Sequence, residues 1–131
     1  MLATGTHSAA GNAYRVQAVE SASPAQLVLM LYDGALGAIA ASTRALTADQ
    51  RDLATAHREL TRAQDIILEL QLSLDHDRGG EIASSLEGIY GFCIDRLTQA
   101  NVKKDMHPLA DVTRFITELR DAWVVAMGSA T

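Results

Sequence analysis

The sequence predicts an all-α fold: an antiparallel, up-down-up-down four-helix bundle preceded by an N-terminal arm. Three observations carry this expectation. Apolar residues make up 48% of the chain but few of them are aromatic, so the apolar mass is Ala, Leu, Ile and Val, and Ala and Leu are strong helix formers. Four long stretches place apolar residues three and four apart, the repeat of an amphipathic helix. Short breaks separate them, and short loops between long helices make sequential neighbours antiparallel.

Residues 1–12 (MLATGTHSAAGN) are small and polar without periodicity, and read as a disordered tail. Residues 13–22 hold Tyr14, Val16 and Val19, enough to dock as an arm but too little to stand alone. The bundle is expected over 23–127. Ser23-Pro24 opens the first helix, 24–46, with Ser as cap and Pro at the first helical position. Leu27, Leu31, Ala35, Ala38 and Ala45 share one face of it and Val28, Tyr32, Leu36 and Ile39 the next, while Leu29, Met30, Ala40 and Ala41 are apolar too. That is more apolar surface than one core-facing stripe needs.

The second helix, 49–74, carries Leu53, Ala56, Leu60, Ala63, Ile67, Leu70 and Leu74 as an unbroken seam. Asp75–Gly80 (DHDRGG) stops it, its glycines allowing the left-handed turn that helix ends favour. The third helix, 81–104, has its seam at Ile82, Leu86, Ile89, Cys93, Leu97 and Ala100. Asp105 is expected to cap the fourth, 106–127, where Leu109, Val112, Ile116, Leu119, Trp123 and Ala126 keep the same rhythm.

Charge and composition exclude several functions. A net charge of −5 disfavours nucleic acid or an anionic membrane, which need a basic patch. Cys93 stands alone, so no internal disulfide forms and a reducing compartment is expected. No secretory signal opens the chain, and the apolar stretch from Leu27 to Ala41 is interrupted by Asp33, short of the roughly 18 clean residues of a membrane span. The expected setting is the cytoplasm.

Residues that could carry chemistry do not assemble into a site. A di-iron bundle needs Glu-x-x-His, and three residues after Glu59, Glu69, Glu81, Glu87 and Glu118 stand Arg62, Leu72, Ser84, Tyr90 and Asp121. Asp75-His76-Asp77 begins like a calcium loop, but the twelfth position is Leu86 instead of an acid. Cys93 sits in a seam and reads as a packing thiol. His57 lies one residue past a seam position, which leaves a histidine phosphotransfer signalling bundle as the alternative function, although Leu60 and Thr61 stand where such sites place a Lys and a small residue. No metal, cofactor or enzymatic activity is expected.

The surplus on the first helix calls for a cover, either the arm or an amphipathic segment of a partner in a groove. Here a resemblance enters. Ala13-Tyr14, Val19, Ala22-Ser23-Pro24, Gln26-Leu27 and Leu31-Tyr32-Asp33-Gly34-Ala35 resemble the opening signature of the flagellar export chaperone FliS family. The likeness continues through Arg62–Ile67, Glu69-Leu70, Ser73–Asp75, Gly79–Ala83, Leu86, Ile89-Tyr90, Arg96-Leu97, Ala100-Asn101 and Leu119–Trp123, in the family's order over about 13–126. Ser21 where Thr is common, His107-Pro108 and a longer leading tail are departures.

The resemblance implies a cytosolic four-helix bundle that binds the disordered C-terminal segment of flagellin, prevents premature polymerisation and assists its export by the flagellar type III secretion system. It leaves room for other flagellar export or assembly proteins as partners, with no nucleic acid and no membrane insertion, and a monomer or weak dimer when free. Flagellin contacts are then expected at Tyr14, Leu31, Tyr32, Ala35, Ile39, Leu97, Asn101, Leu119 and Trp123. Tyr14 would gate the groove, Tyr32 and the aliphatic residues line it, and Asn101 bond client backbone. For Leu31, Leu97, Leu119 and Trp123, core packing is an equal expectation. A charge at Tyr32 or Ile39 should weaken binding while leaving the bundle folded.

Overall fold

The computed structural model describes residues 21–129, so the tail and all but the end of the arm, Tyr14 included, lie outside the described residues. Four helices follow in order: α1 Pro24–Thr47, α2 Leu53–Leu72, α3 His76–Lys103 and α4 Leu109–Ser129. Each begins where a local hydrogen bond can replace a missing helical partner. At α1 the Gln26 N–H donates to Ser23 Oγ at 3.2 Å and the Ser23 N–H donates to Gln26 Oε1 at 2.9 Å, a capping box behind Pro24. The Ser-Pro start is therefore where the sequence places it.

The other boundaries move. α2 starts at Leu53 instead of 49 because Asp52, not Asp49, takes the cap, accepting from the Thr55 N–H at 3.0 Å and the Thr55 hydroxyl at 2.6 Å. Asp75 caps a first turn of α3, accepting from the Arg78 N–H at 3.1 Å. Gly80 then breaks the helical path with φ 50° and ψ −123°, a conformation open to glycine. The glycine pair thus redirects the start of α3 instead of closing α2. Asp105 does not cap α4: it accepts from the His107 N–H at 3.0 Å and faces the His107 ring nitrogen at 2.6 Å. That turn delays α4 to Leu109, just after Pro108.

The helices form a square in which α1 packs on α2 and α4, and α3 packs on the same two. The connections 48–52, 73–75 and 104–108 make successive helices antiparallel. Paired contacts fix the registers. Gln71 reaches Glu87 between α2 and α3, Arg96 reaches Asp111 between α3 and α4, and Arg120 reaches Asp33 between α4 and α1. The α3–α4 seam is the least closely packed of the four.

The core runs along the bundle axis through Ile39, Leu60, Ile67, Leu97, Val112 and Ile116. Alanines at 35, 38, 56, 63, 83 and 100 are buried between them, and small side chains at the contacts set short distances between helix axes. One polar link crosses this core diagonally, the Tyr32 and Tyr90 hydroxyls at 2.6 Å. The seams are rotated slightly from expectation. Ala83 and Tyr90 turn inward on α3 while Ile82 is 72% exposed, and Leu53 on α2 is 47% exposed.

α1 corrects a further expectation. It is long and apolar enough to qualify as a membrane-spanning helix by length and composition, despite Asp33. In the bundle it packs as a structural helix, pairing Asp33 with Arg120 at 2.6 Å. Only 28% of its most apolar stretch is buried.

Candidate apolar furrows on the bundle flanks

The apolar surplus of α1 collects along its edge with α2. Leu27, Met30, Leu31 and Gly34 form one wall of an open furrow, and Arg62, Ile66 and Glu69 of α2 form the other, enclosing about 420 Å³. Its floor is shallow because the two helices touch at Gly34, where an added Cβ would stand 3.3 Å from Ile66 Cδ1. Ile66 would have to give way to any larger residue there, so this glycine sets the furrow's depth. Charge is confined to the rim, where Arg62 pairs with Glu59 at 3.6 Å. Around the start of α1 a shallower hollow continues past Met30 to Leu29, Gln26 and Asp33.

The expected contact residues fall into three groups. Leu31 lines the furrow. Leu119 and Trp123 are half-buried and pack against the core from α4, the Trp123 indole N–H donating to the Ala25 carbonyl at 2.8 Å. Tyr32, Ala35, Ile39 and Leu97 are sealed inside the bundle, none more than 3% exposed. For Tyr32, Ala35 and Ile39 that corrects the expectation of an open groove; for Leu97 it is the core packing that was the equal expectation. α1 is apolar on nearly every face, and the α2 and α4 contacts turn the Tyr32–Ile39 face to the axis while leaving the Leu27–Met30–Gly34 edge outside. Val28, on the same face as Tyr32, stays half-buried.

Asn101 is also turned inward. Its amide donates to Thr61 Oγ1 at 3.3 Å and Gln64 Oε1 at 3.0 Å, and its carbonyl oxygen accepts from Lys104 Nζ at 2.6 Å. His57 Nδ1 lies 3.0 Å from the same oxygen. With its amide satisfied within the chain, Asn101 ties α2 to α3 and has no donor left for client backbone. The fold also brings Lys104 to His57, its Nζ 3.3 Å from Nδ1, a neighbour that sequence spacing around His57 does not reveal.

Burial governs the interior titratable groups. It pushes the Cys93 thiol up to about 11, so the sulfur stays protonated and inert near neutrality. It also raises Tyr90, whose hydroxyl is held further by Tyr32, and raises Tyr32 against the lowering effect of the Tyr90 bond.

A second furrow lies between α3 and α4, bordered by Ser85, Gly88, Ile89, Phe92 and Phe115. The two phenyl rings meet edge to face, centroids 5.6 Å apart at 86°. Sequence reasoning missed this flank and Met30 and Ile66 on the other. The available signals were two phenylalanines in a chain poor in aromatics, and a glycine in the middle of α3.

Fold and flanks together define a small four-helix bundle that leaves apolar furrows open beside a packed core. The comparisons specify the family. The family model described as "Flagellar protein FliS" matches residues 6–130. The chain is 38% identical over 117 residues to the flagellar secretion chaperone FliS of Bacillus subtilis, covering 89% of this chain and 85% of that protein. It is 38% identical over 107 residues to the Salmonella typhimurium protein of the same name, covering 81% and 78%. To that of Vibrio cholerae it is 36% identical over 115 residues, covering 85% and 83%. The chain belongs to the FliS family of flagellar secretion chaperones.

Proposed function

We propose that this chain is a cytoplasmic chaperone for flagellin: it holds the disordered C-terminal segment of the monomer, prevents premature polymerisation and assists export by the flagellar type III secretion system. Family membership supports the role, and one structural observation carries the mechanism. The furrow along Leu27, Met30, Leu31, Gly34 and Ile66 leaves apolar side chains of α1 in water, and the exposure of such a strip favours a partner that covers it. An amphipathic helix laid along the furrow would bury its apolar face there. Ordering a disordered client is costly, so a long apolar contact is the interaction that offsets the cost without nucleotide or metal.

Isothermal titration of the full chain with a C-terminal flagellin peptide tests the reading, and absence of saturable binding would sink it. Met30→Glu should weaken binding about tenfold or more, the effect of losing an interface anchor, while circular dichroism still reports a folded bundle, since Met30 is 38% exposed. Ile39→Glu should instead unfold the chain, because Ile39 is 2% exposed and a charge buried there has no partner. A Met30→Glu variant that binds normally would place the groove elsewhere.

A further inference from the structure

We propose that His57 is a phosphoryl acceptor, with Nε2 as the nucleophile and a phosphoramidate, the class to which another protein's phosphohistidine belongs, as the donor. The site lies where α2 meets α3, apart from both apolar furrows, and does not depend on the flagellin reading. His57 is exposed and, with Gln64, Thr98, Asn101, Val102 and Lys104, lines an open hollow of about 370 Å³.

A chain of hydrogen bonds fixes which ring nitrogen is free. The Ile94 carbonyl can only accept, so the Thr98 hydroxyl donates to it at 2.8 Å and receives the Gln64 amide N–H at 3.0 Å. Gln64 therefore turns its oxygen to Asn101, whose amide N–H reaches it at 3.0 Å. That leaves the Asn101 oxygen facing His57 Nδ1 at 3.0 Å. An amide oxygen has no proton to give, so neutral His57 carries its proton on Nδ1 and presents Nε2 as a bare lone pair. The bond made by one ring nitrogen sets the chemistry open to the other.

The surrounding charge selects an anion. Lys104 Nζ stands 3.3 Å from Nδ1 and donates to the Asn101 oxygen at 2.6 Å, while no carboxylate lines the hollow. An ammonium so near repels a metal cation and attracts a phosphoryl group. Lys104 holds a strained place, with φ 51° and ψ 48°, where glycine is the usual residue past a helix end. A glycine there would bring no ammonium to the ring. Glu59, two residues on from His57, is paired with Arg58 and Arg62, both at 3.6 Å, so its charge is offset. In the transfer step the Nε2 lone pair bonds to phosphorus as the P–N bond of the donor breaks. The leaving nitrogen keeps that electron pair and takes a proton from water, while the Nδ1 proton stays directed at Asn101.

The test is to incubate the full chain with potassium phosphoramidate and to locate acid-labile phosphate by mass spectrometry of a digest kept alkaline. His57 should be labelled about tenfold faster than His76 or His107, because Glu87 at 3.3 Å and Asp105 at 2.6 Å stand against those rings and repel the donor. Lys104→Gly suits the left-handed backbone and leaves the bundle folded, checked by thermal melts. It should slow labelling of His57 about tenfold, and Lys104→Arg should restore most of the rate. Labelling of His57 no faster than that of His76 and His107, or a rate unchanged in Lys104→Gly, overturns the proposal.

Discussion

Tyr32 shows how one side chain can look like a ligand contact and be a core residue. Its ring fills the space between α1 and α3, and its hydroxyl meets that of Tyr90 at 2.6 Å, with the two residues 3% and 2% exposed. Removing one hydroxyl strands the other in apolar surroundings. Tyr32→Phe should therefore lower stability by about 1–3 kcal/mol, the range for a buried polar group left without its partner. Tyr32→Phe with Tyr90→Phe should recover much of that loss, because neither hydroxyl remains to be stranded. Urea unfolding of the two single variants and the double variant measures both; additive losses would show that the pair acts through packing alone. Asn101 obeys the same logic, since its polar atoms serve the α2–α3 contact and not the surface.

At the scale of elements, what sequence made legible was what short-range chemistry decides. Ser23-Pro24 with Gln26 contains every atom of the α1 cap, so that boundary falls where expected. The α2 start offered two aspartates within one turn, and Asp52 holds the cap once its carboxylate captures both the N–H and hydroxyl of Thr55. Asp105 was diverted by His107, two residues on. The choice among the three apolar stripes of α1 was not legible, because helix neighbours decide it and no residue within α1 distinguishes them. For that reason Leu31 was found and Met30, Gly34 and Ile66 were not. Gly80 is the backbone position where an element depends on one residue type: at φ 50° and ψ −123° a side chain is strained. Gly80→Ala should cost about 1–3 kcal/mol, read as a lower melting temperature. Gly88→Ala, in open helical space, should not lower it, and equal losses at both positions would refute the distinction.

For the molecule as a whole, the titrating groups frame a stability plateau. Thr55 bonds hold the Asp52 carboxyl below its usual range, and the His107 N–H and ring do the same for Asp105. A depressed carboxyl contributes stability that is present above its unfolded value and lost as pH falls through its folded value, so the acid limb begins just below pH 4. Cys93, Tyr32 and Tyr90 are raised by burial. Their contribution is complete below the unfolded values and lost as pH rises. For Cys93 the loss runs from its ordinary 9.0 to about 11, with the tyrosines following above 10.0. Melting temperature should hold level between these limits and fall on both sides. Cys93→Ala should shift the onset of the alkaline fall upward by about one unit, to where tyrosines begin to ionise. An onset that stays put would assign the limb to other groups.

The bonds from Trp123 to Ala25 and from Arg120 to Asp33 join the last helix to the first, which has a consequence for synthesis. A ribosome must deliver residue 123 before residue 25 finds its partner. Until then the greasiest stretch of the chain, one that a bilayer could accept, has only α2 to lean on. Closure of the barrel of helices thus waits for α4, and of the four helices the one most in need of shelter is made first and covered last.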